Sequence, residues 1–219
     1  MNRHPAAPTM PVLRMATGRI WRAILALLLA MLVGLQLASA NAAPLLAWGN
    51  NTAGQTNVPA GATNLVRVNA GWQHGLALRA DGVMLPWGYN GHGQAIIPVD
   101  ATNIVDIAVG DYHSLALRAD GKVFAWGKNE AGESTVPAGA TNIVALDGGY
   151  SHTLALRDDG SVMAWGDNTF GQLNIPPDAS NVVAIAAGMD YNVVLRADGS
   201  VLVWGINQGR FGLFSGKGG

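Results

Sequence analysis

An all-β propeller of four-stranded antiparallel blades, about four of them plus a partial one, is the fold this sequence predicts, and three observations carry it. The dipeptide Trp-Gly returns at Trp48, Trp87, Trp126, Trp165 and Trp204, each 39 residues after the last. The tetrapeptide Arg-x-Asp-Gly keeps the same step, from Arg79 to Gly82, Arg118 to Gly121, Arg157 to Gly160 and Arg196 to Gly199. The intervals hold β-branched or alternating apolar runs. Self-similarity at a period of this size marks a repeat architecture, and tightly connected antiparallel strands recurring about every 40 residues make propeller blades.

One copy serves for all. Asn103 to Val109 is β-branched and apolar and ends at Gly110, which predicts the innermost strand. His113 to Arg118 alternates with period two, and Asp120-Gly121 predicts a two-residue hairpin turn. Lys122 to Trp126 is the third strand, and a Gly/Asn loop follows it. Ser134-Thr135-Val136 is expected as a short fourth strand at the sheet edge, stopped by Pro137, which has no N–H to donate. The five repeated Trp residues are large enough to fill the gap between blades, and packing is the role assigned to them.

The bulk numbers bound the function. The chain has 219 residues, 49% hydrophobic and 12% charged, with 29 Gly and no Cys, which is a globular composition without disulfides or thiolate chemistry. Residues 1–40 carry four arginines and no acid. The remainder then holds nine basic against fourteen acidic residues, a balance of −5 that lacks the basic footprint of a nucleic-acid binder. Within the first forty residues a basic lead precedes the uncharged apolar run Ala23 to Leu37, and Ala38-Ser39-Ala40 follows. That pattern is a secretory signal peptide with cleavage after Ala40. An uncleaved membrane anchor is the alternative, although the run of 15 residues is short beside the roughly 20 that a span needs. The expected organisation is a signal peptide at 1–40, a linker at 41–44, repeats over 45–205 and an irregular tail at 206–219. The exported product has no membrane contact after cleavage.

The cycle Gly-x-x-His-[Ser/Gly/Thr]-Leu-Ala-Leu-Arg-x-Asp-Gly-x-Val-x-Ala-Trp-Gly-x-Asn resembles the regulator-of-chromosome-condensation repeat. The short unit and the Gly-Gln-x-x-x-Pro segments (Gly54 to Pro59, Gly93 to Pro98, Gly171 to Pro176) are most similar to secreted bacterial members, of which a propeller-type inhibitor of β-lactamases is one. The resemblance implies a seven-bladed ring. Here four copies and a partial one are present, and Arg210 stands where Gly54, Gly93, Gly132 and Gly171 set the pattern. Truncation is the expected explanation of that count, and closure by self-association and a smaller ring are the alternatives.

Comparison of the copies with one another locates the functional surface. The Arg-x-Asp-Gly end is nearly invariant. The opposite end varies and holds Trp72, Tyr89, Tyr112, Tyr150 and Phe170, a set of aromatic loop residues suited to a protein partner. His74, His113 and His152 share one repeat position with Tyr191. They belong to separate blades, which favours a structural hydrogen bond over metal binding. No metal site, cofactor motif or catalytic residue is assigned. The expected function is an exported, non-enzymatic and inhibitor-like protein-binding scaffold that binds an extracellular or periplasmic protein. The alternatives are a lyase or hydrolase at the ring mouth, with Asp111, Glu130, Asp190 and His92 as its candidates, and an inactive remnant of a longer repeat protein.

Overall fold

The computed structural model describes residues 45–206; the expected signal peptide, the 41–44 linker and the tail from Asn207 onward lie outside the described residues. Twelve strands follow one another: β1 (Leu65–Ala70), β2 (His74–Arg79), β3 (Met84–Gly88), β4 (Ile104–Val109), β5 (His113–Arg118), β6 (Val123–Gly127), β7 (Ile143–Gly148), β8 (His152–Arg157), β9 (Val162–Gly166), β10 (Val182–Ala187), β11 (Tyr191–Arg196) and β12 (Val201–Gly205). They form four antiparallel sheets of three consecutive strands, the blades of an incomplete propeller that does not close into a ring.

Two local expectations are corrected. The fourth strand does not form: after β6 the backbone from Ser134 to Val136 is turn and coil. Its donors are already engaged, since Asn129 Oδ1 accepts the Ser134 N–H (2.9 Å) and the Gly132 carbonyl accepts the Thr135 N–H (2.9 Å). The same Asn bond recurs at Asn51, Asn90 and Asn168. The hairpin is also wider than a two-residue turn. The Arg118 N–H donates to the Lys122 carbonyl and the Gly121 N–H to the Arg118 carbonyl, leaving a three-residue loop with Gly121 alone at positive φ, 84°. A two-residue type I′ turn needs positive φ at both central positions, and Asp120 instead uses its side chain to accept the Lys122 N–H (3.1 Å).

The innermost strand of every blade carries a bulge at the same place, visible as a register shift between Ile104 and Asp106 and its three equivalents. The extra residue is Val66, Val105, Val144 or Val183, and all four are exposed. Just before each bulged strand, Asn64, Asn103, Asn142 and Asn181 sit in the left-handed region at φ 52–56°. Their carbonyls accept the N–H of the residue after the hairpin Arg, as from Ala119 to Asn103. Asn tolerates that conformation better than other side chains.

The hydrophobic core lies between blades. Leu76, Leu78 and Met84 of the first sheet pack with Ile104, Ile107, Val109, Ala116, Phe124 and Trp126 of the second. Leu117 and Val123 meet Ile143, Ala155 and Trp165 of the third, and Leu154, Leu156 and Val162 meet Val182, Val194 and Trp204 of the fourth. Trp126, Trp165 and Trp204 are buried, and Trp87 is half-buried. Trp48 departs from the assignment to packing. It is 86% exposed and lies outside any strand, because the two strands that would precede it in a blade have no counterpart in the sequence upstream.

Each seam is stitched by one shared acceptor. Trp126 Nε1–H donates to the Gln94 carbonyl (2.9 Å), and the Ser114 hydroxyl donates to that same oxygen (2.9 Å). Thr153 and Trp165 share the Glu133 carbonyl, and Asn192 and Trp204 share that of Gln172. Trp87 donates to Gln55 without a second donor, since Gly75 has no side chain. Trp126→Phe removes one buried donor and part of the seam packing. It should cost about 1–3 kcal/mol in a urea melt. Trp48→Phe should stay within about 0.5 kcal/mol.

Candidate functional site

Every blade presents its first turn and the loop after its third strand at one end. The pairing is direct: Tyr89, Lys128, Asp167 and Ile206 donate their N–H to the carbonyls of Gln73, Tyr112, Ser151 and Asp190. The hairpins close the other end. There Arg79 and Arg118 pair with Asp81 and Asp120 (2.6 Å each), Arg196 lies 3.5 Å from Asp198, and Arg157 donates to the Gly139 carbonyl instead.

At the variable end Tyr112 is a hub. Its ring stacks with Trp72 (centroids 6.4 Å apart, planes at 17°) and takes edge contacts from Tyr89 (6.3 Å), His92 (5.5 Å) and Tyr150 (6.0 Å). Four of the five aromatic residues singled out in the sequence therefore form one cluster across the first three blades. Phe170 stands apart from it, in a depression of about 290 Å³ shared with Tyr150, Lys128, Asp167, Met189 and Asp190. Trp72, Tyr150 and Phe170 are all exposed.

Two members of this surface were not among the partner-binding residues expected from sequence. His92 joins the aromatic cluster through Tyr89 and Tyr112. Lys128 Nζ lies 5.2 Å from the Tyr150 ring centroid and 6.0 Å from that of Tyr112, with Glu130 at 3.4 Å. The available signal was their place in the variable loops, at positions where the other copies carry different chemistry.

Carboxylates dominate the rest of the mouth. Burial raises Asp111 above the usual carboxylate range, and repulsion from Asp190 adds to it. Asp190 is raised by burial and by Asp167, against the lowering effect of His152. Along the axis a second cavity of about 360 Å³ is lined by Gly71, Gly110, Gly149, Gly188 and their neighbours. Asp147 in its wall accepts the N–H groups of Ala187 (2.8 Å) and Gly148 (3.0 Å), and its burial raises its pKa. Among the described residues no group of three His, Asp or Glu side chains is placed to hold a metal ion.

The three repeated histidines lie beneath this surface, buried. Nε2 of His74, His113 and His152 lies 3.0–3.1 Å from Ser114 Oγ, Thr153 Oγ1 and Asn192 Oδ1 of the next blade. Because the Ser114 and Thr153 hydroxyls give their own protons to carbonyls and the Asn192 amide oxygen can only accept, Nε2 is the donor, and each ring is the neutral Nε2–H tautomer. Nδ1 of His113 and His152 has no partner. A Cβ on Gly110 would collide with the His113 ring and the Gly149 carbonyl, so glycine is needed where blades converge on the axis. Tyr191 takes the histidine position in the fourth blade and is 40% exposed.

The fold defines the class: a propeller of short antiparallel blades joined by inter-blade hydrogen bonds. The regulator of chromosome condensation (RCC1) repeat matches residues 65–94, 104–133 and 143–172, in the first three blades. The fourth copy, with Tyr191 for His and Val193-Val194 for Leu-Ala, falls outside the matched ranges. No curated protein sequence matches the chain. Among solved structures it is similar to Prp20p of Saccharomyces cerevisiae, at 22% identity over 68% of this chain and 47% of that one, with a TM-score of 0.59. It is also similar to the ectodomain of the Physcomitrella patens receptor kinase CR4 (21%, 79% and 52%, TM-score 0.65) and to human WBSCR16 (22%, 64% and 47%, TM-score 0.55). At such identities the likeness shows the fold alone, and the chain spans about half the length of each. Prp20p is described with binding properties toward Gsp1p and histones, and yeast RCC1 (Prp20) is solved bound to Kap60.

The histidines make stability depend on acid. Burial lowers His74 to about 4 and His113 to about 3, from 6.5, and lowers His152 as well. The unfolded chain therefore takes up protons first. The histidine contribution is complete above pH 6.5 and is lost as pH falls toward 4 and then 3. The raised carboxylates Asp111, Asp147 and Asp190 act in the opposite sense at the acid end. Urea midpoints should fall from pH 7 to pH 5, by an amount set mostly by His74, His113 and His152. His113→Gln, which keeps a donor but cannot titrate, should flatten that fall; an unchanged slope would exclude His113 as a contributor.

Proposed function

We propose that this chain is an exported, non-enzymatic protein-binding scaffold whose contact surface is the aromatic end of the blades. One observation carries the reading: Trp72, Tyr89, Tyr112 and Tyr150 converge on one another at the variable end, while the opposite end repeats Arg-x-Asp-Gly. Exposed aromatic rings held by rigid blades are the side chains that anchor protein interfaces. The partners named for Prp20p, themselves proteins, support a protein target. Glu130, Asp167 and Asp190 share one depression with Lys128, and that acidic excess favours a target with a basic surface. Phe170 extends the contact to the fourth blade, and the basic-apolar leader supports an extracellular or periplasmic setting for it. The activity is occupancy of the target, as in an inhibitor.

Asp111, raised by burial and by the nearby Asp190, is the one feature that favours a rival hydrolase or lyase at the mouth. In that case Asp190→Asn abolishes turnover and spares binding.

The immobilised chain should retain a target from the exported protein fraction of its source cells. Tyr112→Ala or Tyr150→Ala should weaken that complex by about 30-fold, some 2 kcal/mol. Asp159→Ala, at the hairpin end, should change it less than about twofold. Calorimetric titration with the retained protein reads both, and equal losses at the two ends would sink the assignment of the face.

A further inference from the structure

The repeats provide an internal control for a second surface. At the three inner seams, the outgoing face of one blade is covered by the incoming face of the next. Leu117 and Val123 are buried by the third blade, and Leu156 and Val162 by the fourth. The same repeat positions on the fourth blade are Leu195 and Val201, and they are 39% and 54% exposed. The incoming side shows the matching deficit. Ile107 is buried at 3% where its equivalent on the first blade, Val68, is 42% exposed, and Trp87 is less buried than Trp126, Trp165 and Trp204. Among the described residues the arc thus ends in two different apolar faces, each the natural complement of the other.

We propose that two copies of this chain pair head to tail, the fourth blade of each against the first blade of the other, to complete one ring of eight blades. Three details select a second copy as the occupant. First, the inner seams join a residue at the histidine position to the one 40 residues later: His74 to Ser114, His113 to Thr153 and His152 to Asn192. Carried one step further, that relation sets Tyr191 against Gly75 of the partner copy. At that joint both members of the series are replaced, the histidine by Tyr191 and its polar partner by Gly75.

Second, the acceptor that the following blade needs is already in place on the first blade, where the Gln55 carbonyl holds Trp87. In the inner seams the corresponding loop is supplied by the blade before, so the first blade arrives with its own. The segment from Asn50 to Pro59 can then sit where the fourth blade's outgoing loop would otherwise be required. Third, symmetry and size agree. A heterologous contact closes when its rotation does, and twofold rings are the commonest closed assemblies. Two copies make eight blades, within the range of about four to eight that propellers use; three copies would exceed it.

The test is the solution mass of the whole chain by light scattering at micromolar concentration. Twice the chain mass is expected. Val201→Lys on the outgoing face and Val68→Lys on the incoming face should each raise the dissociation constant about tenfold or more. Each should keep a cooperative urea transition. Tyr150→Ala, away from both faces, should leave the mass unchanged. Mixing the two lysine variants should restore a two-copy species, because one supplies an intact outgoing face and the other an intact incoming face. Two copies joined by like faces would gain nothing from mixing, and that result overturns the proposal. So does a monomeric wild-type chain, a dimer indifferent to both lysines, or an open series of larger species.

Discussion

A single backbone oxygen per seam holds this molecule's blades in register. The Gln94 carbonyl takes the Trp126 indole N–H and the Ser114 hydroxyl together, and Ser114 in turn receives His74 from the blade before. Two strands of one blade and the loop that precedes it meet at that oxygen, and His74 of the preceding blade reaches it through Ser114. The loop presenting it is itself pinned from within. The Gln94 side-chain oxygen accepts the His92 N–H, as Gln55, Glu133 and Gln172 accept Ala53, Ala131 and Phe170. The position therefore requires an acceptor oxygen, which explains why Glu133 can replace Gln there without changing the loop. It also explains how blades of only three strands can stack: their contact is specified by hydrogen bonds from buried donors as well as by apolar area.

The histidines belong to the same network, and their neutrality follows from it. A proton added at Nδ1 of His113 would place a charge in a buried site with no acceptor. The resulting dependence on pH arises in the scaffold, several residues below the exposed rings of Trp72 and Tyr150. Acid would thus act on the mouth indirectly, by loosening the seams that hold the blades at their angles.

Much of the fold was legible because the repeat is its own alignment. The 39-residue step located every strand of the four sheets, the hairpins and the two ends. What escaped was local competition for backbone groups. Ser134-Thr135-Val136 has the residue types of a strand, but Asn129 and Gly132 capture its donors. Trp48 has the repeat's sequence without the two strands that would bury it. At the mouth, the choice of Trp72, Tyr89, Tyr112 and Tyr150 was readable from variation among copies. That Tyr112 touches rings from blades on either side, and that Phe170 does not join them, depends on the angle between blades. Spacing along the chain assigns a residue to a blade and an end, and carries no information on that angle.

The bridging oxygen has a consequence for how such a chain can be divided. The sheet that begins at Leu65 is not self-sufficient, because the oxygen holding its Trp87 comes from Gln55, ten residues upstream of the first strand. The visible blade and the transferable module are out of phase. A cut at the strand boundary severs every copy from its tether, whereas a cut just after Trp-Gly moves loop and blade together. Gain, loss or exchange of copies would preserve every seam if its breakpoints fall there, and the ring could change size by whole steps while each joint stays the same.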